Sequence, residues 1–360
     1  MAITHPSSHL DPQLVSLLRD HAFEAEKKGE LHEAQLNAIY QHNWFKMFMP
    51  KSMGGLEYSL PDVLRTEEAL AWADGSTAWV VTLCSGAGWF VGFLDNSVLE
   101  RIVSNSRACM AGSGASTGTA SITGDGYTIN GEWKYASGAL YATMLTANCV
   151  ITKDGRPIVN DDGTPLIKAF IFRKREVEII KGWSSMGMVA TGSHAFKVQN
   201  LYVPSTRSFK IDASHARISL PVYQYPFQQL AETTLAVNFS GLAQRFIDIC
   251  EEIFSTRSHP GKPTPSDQHA DAVRTLLQAR TDFYNSVADS WSYCSRMTPI
   301  LDAVLRKVSD TSRDLYNTSL TLVSKLYPFA GMRAADPRTE INRVWRNLFT
   351  ASQHNIFTGQ

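Results

Sequence analysis

The sequence predicts a mainly α protein with a central β-domain: an N-terminal helical domain over residues 1–105, a middle β-barrel or sandwich over 106–212, and a C-terminal four-helix bundle over 213–360. Three observations predict it. Apolar residues recur near every 3.6 positions at both ends of the chain, short β-rich runs separated by turn signals fill the middle, and no strand–helix–strand alternation appears between them. At roughly 150 residues per domain, 360 residues make about two or three structural units. A hydrophobic content of 44% is enough for a core and excludes a largely disordered chain.

The first region opens with Leu14, Leu17, Leu18, Ala22, Phe23, Leu31, Ala34, Leu36 and Ile39, close to a helical repeat. The Pro50-Lys51-Ser52-Met53-Gly54-Gly55 run interrupts helix, and Pro61 suits the first turn of the next one, which continues to Ala73. Asp74-Gly75-Ser76 breaks it before residues 78–94, an uncharged stretch approaching membrane-span length. Its Thr82, Ser85 and three glycines, and its end at Asp95, suit a buried helix of a bundle better than a span.

In the middle region, residues 111–126 are rich in Gly, Ser, Thr and Ala and read as a loop. Strands follow at 127–129, 132–135, 144–152, 166–172, 177–180 and 195–203, with turns at Gly124-Asp125-Gly126, Asn130-Gly131 and Asp161-Asp162-Gly163. Regular strand–turn spacing without helices between predicts antiparallel pairing. Four helices complete the chain, at 227–254, from the Thr264-Pro265-Ser266-Asp267 start signal onward, at 301–326 before Pro328 and Gly331, and at 336–357.

Composition removes several function classes. Lys and Arg total 34 against 34 Asp and Glu, with no basic stripe, so nucleic acid is a poor partner. Five scattered cysteines without a CxxC pair fit free thiols in a reducing, cytoplasmic setting, with no zinc site. No basic, apolar leader opens the sequence. Gly112-Ser113-Gly114-Ala115-Ser116-Thr117 is not a dinucleotide fingerprint, since no helix follows and Thr117 holds the last glycine position. P-loop, HExxH and GxSxG motifs do not occur.

Four stretches in order resemble the acyl-CoA dehydrogenase superfamily. WFKMFMPKSMGG at 44–55, with EEALAWADGS at 67–76, is similar to its Pro-x-x-x-Gly-Gly loop and following helix. GYTINGEWKYASG at 126–138 resembles its flavin-facing strand, and WSSMGMVATGSHAFKVQNLYVP at 183–204 the stretch that closes its β-domain. RVWRNLFTASQHNIF at 343–357 is similar to the last helix of the reduced-flavin (group D) monooxygenases, such as dibenzothiophene monooxygenase. The resemblance covers nearly the whole chain. Two positions depart from that branch: Asn347 replaces the usual Asp, and residues 85–89 carry no histidine.

An isoalloxazine needs a dry slot and a few fixed hydrogen-bond groups. On a strand, Tyr135 and Ser137 face one side, so a ring and a hydroxyl can meet it together. The resemblance gives Ser137 the bond to the flavin's reactive nitrogen. The small residues Ala111, Gly112 and Ser113 let main-chain N–H groups approach the pyrimidine edge. Trp183 and the Met186-Gly187-Met188 turn shape the pocket, whereas His194 reads as structural. His354 follows Arg343 by eleven residues, about three turns, so one helix presents both from one face.

The resemblance implies a flavin-dependent oxidoreductase binding FAD or FMN, most simply a monooxygenase that receives reduced flavin from a separate reductase. Its substrate is aromatic or otherwise apolar, His354 serves as base or hydrogen-bond partner, and the assembly is a homotetramer or homodimer. One alternative is an acyl-CoA dehydrogenase with a displaced base. The family's closing carboxylate is missing, since no Asp or Glu follows Glu340 and Asn355 cannot accept a proton near neutrality. Arg257-Ser258-His259-Pro260-Gly261 does not match the dehydrogenases' adenine-gripping Arg-x-x-Phe-Gly run, which points to loosely held flavin. The other alternative is a non-catalytic protein that has lost its cofactor.

Overall fold

The structure, a computed structural model, describes residues 3–256 and 266–358. The Arg257-to-Gly261 run and the Thr264-Pro265 part of the helix-start signal lie outside the described residues.

Local signals set the N-terminal helices. Asp11 caps α1 (Pro12–Asp20), Gly29 at φ +73° ends α2 (Ala22–Lys28), and a His32–Gln35 capping box starts α3 (Glu33–Gln41). Ser59 caps α4 (Leu60–Ala73). Asp74 then ends α4 and caps α5 (Gly75–Gly88), its carboxylate accepting from the Thr77 amide at 2.9 Å and hydroxyl at 2.7 Å. Gly75–Phe93 is long and apolar enough to cross a membrane, but 83% of that window is buried by the rest of the chain, as a core helix would be. A short α6 (Asn96–Val103) leads into the sheet.

Eight strands form one sheet: β1 (Met110–Thr123), β2 (Gly126–Ala136), β3 (Met144–Lys153), β4 (Arg156–Pro157), β5 (Ile167–Arg173), β6 (Glu178–Ile180), β7 (His194–Pro204) and β8 (Ser208–Phe209). The order is β6-β7-β2-β1-β3-β5-β8, with β4 on β3. Three expectations change. The stretch read as a loop is mostly strand β1, whose small side chains hide its period. The pairing is not wholly antiparallel, because β1 and β3 run parallel. Asn130-Gly131 is a register shift inside β2 and not a turn, so two predicted strands are one. The turns at 124–126 and 161–163 form, with Gly124 and Gly163 at positive φ.

The C-terminal region is built on α7 (Phe227–Ser255), α8 (Ser266–Ser295) and α9 (Asp302–Ala330), with α7 packed on α4 and on α9. Pro328 does not stop α9 but sits in its last turn, which ends at Gly331. A short α10 (Met332–Ala335) follows, and the final predicted helix is two pieces, α11 (Glu340–Ala351) and α12 (Asn355–Thr358). Arg280 on α8 donates to both carboxylate oxygens of buried Glu68 on α4, at 2.8 and 2.9 Å, and Tyr284 adds a third bond at 2.8 Å. Removing one member of such a buried pair costs about 3–5 kcal/mol, so this contact pins the C-terminal helices to the N-terminal ones.

Candidate functional site

Helix α5 organises the site because its sides meet different neighbours. Val80 and Cys84 face the sheet: Cys84 Sγ lies 3.7 Å from the Ser137 carbonyl, and Cys84 also interacts with Cys109, just before β1. At Gly138 the backbone has φ +74°, and a Cβ would come within 2.4 Å of Cys84 Sγ, so only glycine fits. Thr82 and Ser85 face α7 and α4. Between these sides run Trp79, Leu83, Gly86 and, one turn on, Phe90, at helical spacing. Leu83, Gly86 and Phe90 are only half-buried on an otherwise buried helix, and a Cβ at Gly86 would meet nothing within 4 Å. This partly uncovered apolar side of α5 is the candidate wall of a cleft between sheet and bundle.

On the sheet side, a chain of hydroxyls has a fixed direction. Thr191 Oγ1 donates to the Met188 carbonyl at 2.7 Å, and a carbonyl can only accept. With its one hydrogen committed, Thr191 accepts from Ser193 at 2.7 Å, and Ser193 in turn accepts from Ser137 at 2.7 Å. Ser137 thus spends its hydrogen inside the protein, and the lone pairs left on its oxygen can only accept. Trp183 is held by the same carbonyl, its Nε1 donating to Met188 O at 3.0 Å, while its amide donates to His194 Nδ1 at 3.1 Å. Burial lowers the His194 pKa, consistent with a neutral ring that accepts at Nδ1 and with the structural part read for it.

Tyr135 and Ser137 do not share a strand face. Tyr135 takes a left-handed backbone at φ +65° where the β2–β7 register shifts, which breaks the alternation. Its ring is 71% exposed and meets Trp183 edge-on at 6.2 Å, whereas Ser137 is buried beyond the end of β2. Ala111, Gly112 and Ser113 pair with β3, and Gly112 must be glycine because a Cβ would sit 2.2 Å from Thr146 Oγ1. The β1–β2 register covers only 119–123 and the β1–β3 register breaks between Ser113 and Gly118, so β1 keeps an open edge before Gly118.

His354 is not on a helix with Arg343: α11 ends at Ala351, and His354 occupies the turn before α12. Its ring lies edge-on to Trp79, with centroids 6.0 Å apart, which places it at the end of the cleft face of α5. Burial pushes its pKa down. The Ile356 amide donates to Nδ1 at 3.3 Å, so the neutral ring carries its hydrogen on Nε2. That hydrogen bond makes His354 a donor toward the cleft in preference to a base.

Thr191 and Ser193 escaped the sequence reading. Asn347, which stands where the resembling branch has Asp, is buried and accepts from the Met188 amide at 2.6 Å, fixing the turn. The signal for Thr191 and Ser193 was the hydroxyl-rich ATGSH run, which spacing alone does not connect to Ser137. The open β1 edge, the accepting Ser137 oxygen, the locked Trp183 and the bare Gly86 position together fit a planar heterocycle bearing an N–H group. Among the described residues no cluster of His, Cys, Asp and Glu could hold a metal ion.

No family model matches the chain. Among curated proteins it is similar to the oxygenase subunit HsaA of a flavin-dependent monooxygenase from Rhodococcus jostii, 24% identical over 358 residues that cover 95% of this chain and 92% of that protein. It is likewise 24% identical to indole-3-acetate monooxygenase from Pseudomonas putida, covering 95% of this chain and 88% of that one. Among solved structures, 3-HSA hydroxylase from Rhodococcus sp. RHA1 superposes with a TM-score of 0.90 at 22% identity, over 98% of this chain and 93% of that chain. XiaF from Streptomyces sp., in complex with FADH2 and glycerol, gives 0.88 at 19% identity, over 98% and 91%. The chain has the acyl-CoA dehydrogenase-like fold, and the relatives it matches are flavin-dependent monooxygenases on that fold.

Proposed function

We propose that this protein is the oxygenase component of a two-component flavin-dependent monooxygenase that takes reduced flavin from a separate reductase and hydroxylates an aromatic or similarly apolar molecule. The observation that carries this reading is the direction of the Ser137–Ser193–Thr191 relay. The central nitrogen of a reduced flavin bears a hydrogen and that of an oxidised flavin does not, so an oxygen that can only accept favours the reduced form. Reduced flavin supplies the electrons with which O₂ is activated. Ser137 accepts the flavin N–H, Trp183 and Tyr135 cover the ring, and the β1 edge at Ala111, Gly112 and Ser113 meets its polar rim. Trp79, Leu83 and Phe90 keep water from the reacting oxygen, and His354 Nε2 donates a hydrogen bond to it or to the substrate.

The dehydrogenase alternative needs a free carboxylate at the cleft. Glu340 is engaged by Arg245 at 2.7 and 2.8 Å and Glu68 by Arg280. The setting is the cytoplasm, which five buried free thiols suit, and the assembly is a homotetramer or homodimer.

Anaerobic titration with oxidised and reduced FMN and FAD tests the reading. Tighter binding of the reduced form is the expected result. Tight oxidised FAD that bleaches on adding an acyl-CoA without O₂ would establish the dehydrogenase instead, and no binding in either state would leave a non-catalytic protein.

A further inference from the structure

The partly uncovered side of α5 has one filled end and one that reaches solvent. At the His354 end, Phe357 stacks on Tyr316 at 4.6 Å and meets Phe239 edge-on at 6.1 Å, both of them buried. At the other end the 3₁₀ turn Trp89–Phe93 continues α5, and Phe90 lies between two rings from far along the chain. Phe209 at the end of β8 is 5.5 Å away and Phe227 at the start of α7 is 5.7 Å away, centroid to centroid. Phe227 also stacks on Trp89 at 5.8 Å, yet it stays 40% exposed. An uncharged line therefore runs from this exposed ring through Phe90, Gly86 and Leu83 to Trp79, at helical spacing along α5.

The chain between Phe209 and Phe227 spans this open end, and its two halves are held differently. Residues 221–225 are seated by three buried bonds. Trp89 Nε1 donates to the Val222 carbonyl at 2.9 Å, the Tyr223 hydroxyl donates to the Phe48 carbonyl at 2.9 Å, and the Tyr225 hydroxyl pairs with that of Ser290 at 2.8 Å. Gly92 makes room for the seat, since a Cβ there would lie 2.2 Å from the Tyr223 ring. Among the described residues, the only hydrogen bonds from 211–220 to α5 and α6 are made by Arg217. Its amide donates to the Gly92 carbonyl at 2.7 Å, and its largely exposed guanidinium pairs with Asp95 at 3.3 Å. Asp212, Ser214 and His215 bond to one another, and Ile211, Ile218 and Leu220 are only half-buried against the core. An exposed ion pair is weak, and a stretch with few buried contacts opens ahead of the rest.

We propose that residues 211–220 are a lid, latched by Arg217 and hinged on the seated residues 221–225, and that Phe90, Phe209 and Phe227 form the mouth it covers. An uncharged aromatic molecule enters past these rings, which offer it faces and edges to pack on. The lid then keeps water from the side of α5 that faces the reaction. This rests on the proposed function for that side of α5, and adds the route by which the substrate reaches it.

Hydrogen exchange, together with stopped-flow binding of β-naphthol, a fluorescent uncharged aromatic, tests it. In the native chain the amides of 211–220 exchange through an opening of their own, about a hundredfold faster than those inside α7. The association rate of β-naphthol levels off as its concentration rises, because opening becomes limiting. Arg217→Ala speeds association and dissociation alike by about fivefold, the upper worth of an exposed ion pair, and leaves Kd within about twofold. Joining Asp95→Cys to Arg217→Cys with a short bismaleimide slows both rates, and the native cysteines, being buried, stay out of that reaction. Exchange of 211–220 as slow as that of α7 overturns the lid. So does a native association rate that rises linearly and matches that of Arg217→Ala, while the apolar cleft stands. A changed Kd with unchanged association in Arg217→Ala overturns it too, because the stretch would then be part of the binding surface. Opening of 211–220 without any binding of β-naphthol overturns the aromatic cleft and the lid together.

Discussion

The side-chain oxygen of Asn347 accepts a hydrogen bond from the Met188 amide at 2.6 Å, joining α11 to the turn whose carbonyl holds both Trp183 Nε1 and Thr191 Oγ1. The turn needs such ties, because Met188 sits at φ +51°, an uncommon conformation for a residue with a side chain. Arg346 adds a second tie, donating to the Met186 carbonyl at 2.7 Å while paired with Glu26. The C-terminal segment thus reaches this side of α5 twice, through His354 directly and through Asn347 by way of Met188.

Asn347→Ala leaves the buried Met188 amide unpaired, a loss of about 1–3 kcal/mol. Chemical denaturation should show that drop with an unchanged m value. Because Trp183 loses its fixed partner, its fluorescence should also change before unfolding begins. A variant as stable as the parent, with the same emission, would show that the turn holds itself.

Thr191→Val keeps the volume near Met188 but removes the hydroxyl that sets the relay's direction. Ser193 is then free to donate to Ser137, and Ser137 to donate outward. The ratio of oxidised to reduced flavin dissociation constants should fall by about tenfold, the worth of one hydrogen bond of ordinary strength. Anaerobic titration measures it, and an unchanged ratio would mean that something other than Ser137 reads the flavin's redox state.

Much of this arrangement was legible in the sequence. The helical repeat from Leu14, the helix start at Pro61, the break at Asp74 and the turn at Gly124 are local, so composition and spacing expose them. Strand β1 was hidden because Gly, Ser, Thr and Ala carry little strand preference and its register comes from β3, more than thirty residues on. The shared face of Tyr135 and Ser137 failed because one left-handed residue reverses the alternation, which no period reveals. The single last helix failed at Ser352, where α11 ends without proline or glycine. The meeting of Phe209 and Phe227 on Phe90 joins elements far apart in the chain, and only packing brings them together.

Glu67 and His354 should tilt the pH dependence of stability in opposite senses. The folded pKa of Glu67 is raised, so the native state binds the extra proton and stability falls as pH rises above about 4.5, by at most ~1.4 kcal/mol per pH unit. The folded pKa of His354 is lowered, so the unfolded state binds the extra proton and stability falls as pH drops below about 6.5. Thermal melts between pH 4.5 and 8.5 should show Glu67→Gln gaining on the parent toward alkaline pH and His354→Asn gaining toward acid. Parallel curves for parent and variant would place either group in contact with solvent.

His354→Ala should leave reduced-flavin affinity within about twofold while product formed per O₂ consumed falls by about a hundredfold, the lower end for one positioned proton-transfer group. Oxygen uptake read beside product yield distinguishes this from loss of the cofactor. Normal coupling in the variant would remove His354 from the chemistry and leave it as a cap on α12.

Two glycine-to-alanine changes should move stability in opposite directions, and the contrast tests the shape of the cleft. At Gly187 an added Cβ would lie 2.1 Å from the Arg346 carbonyl oxygen and 2.6 Å from the Asn347 amide, both backbone atoms within α11 that cannot retreat. Gly187→Ala should therefore cost about 1–3 kcal/mol or more, and it should displace Met188 from Asn347. At Gly86 an added Cβ meets nothing, and alanine is the better residue inside a helix by roughly 0.5–1 kcal/mol. Gly86→Ala should then raise the melting temperature while beginning to fill the open side of α5. Destabilisation by Gly86→Ala would mean that side chains already occupy that face of α5, and the apolar cleft would be closed.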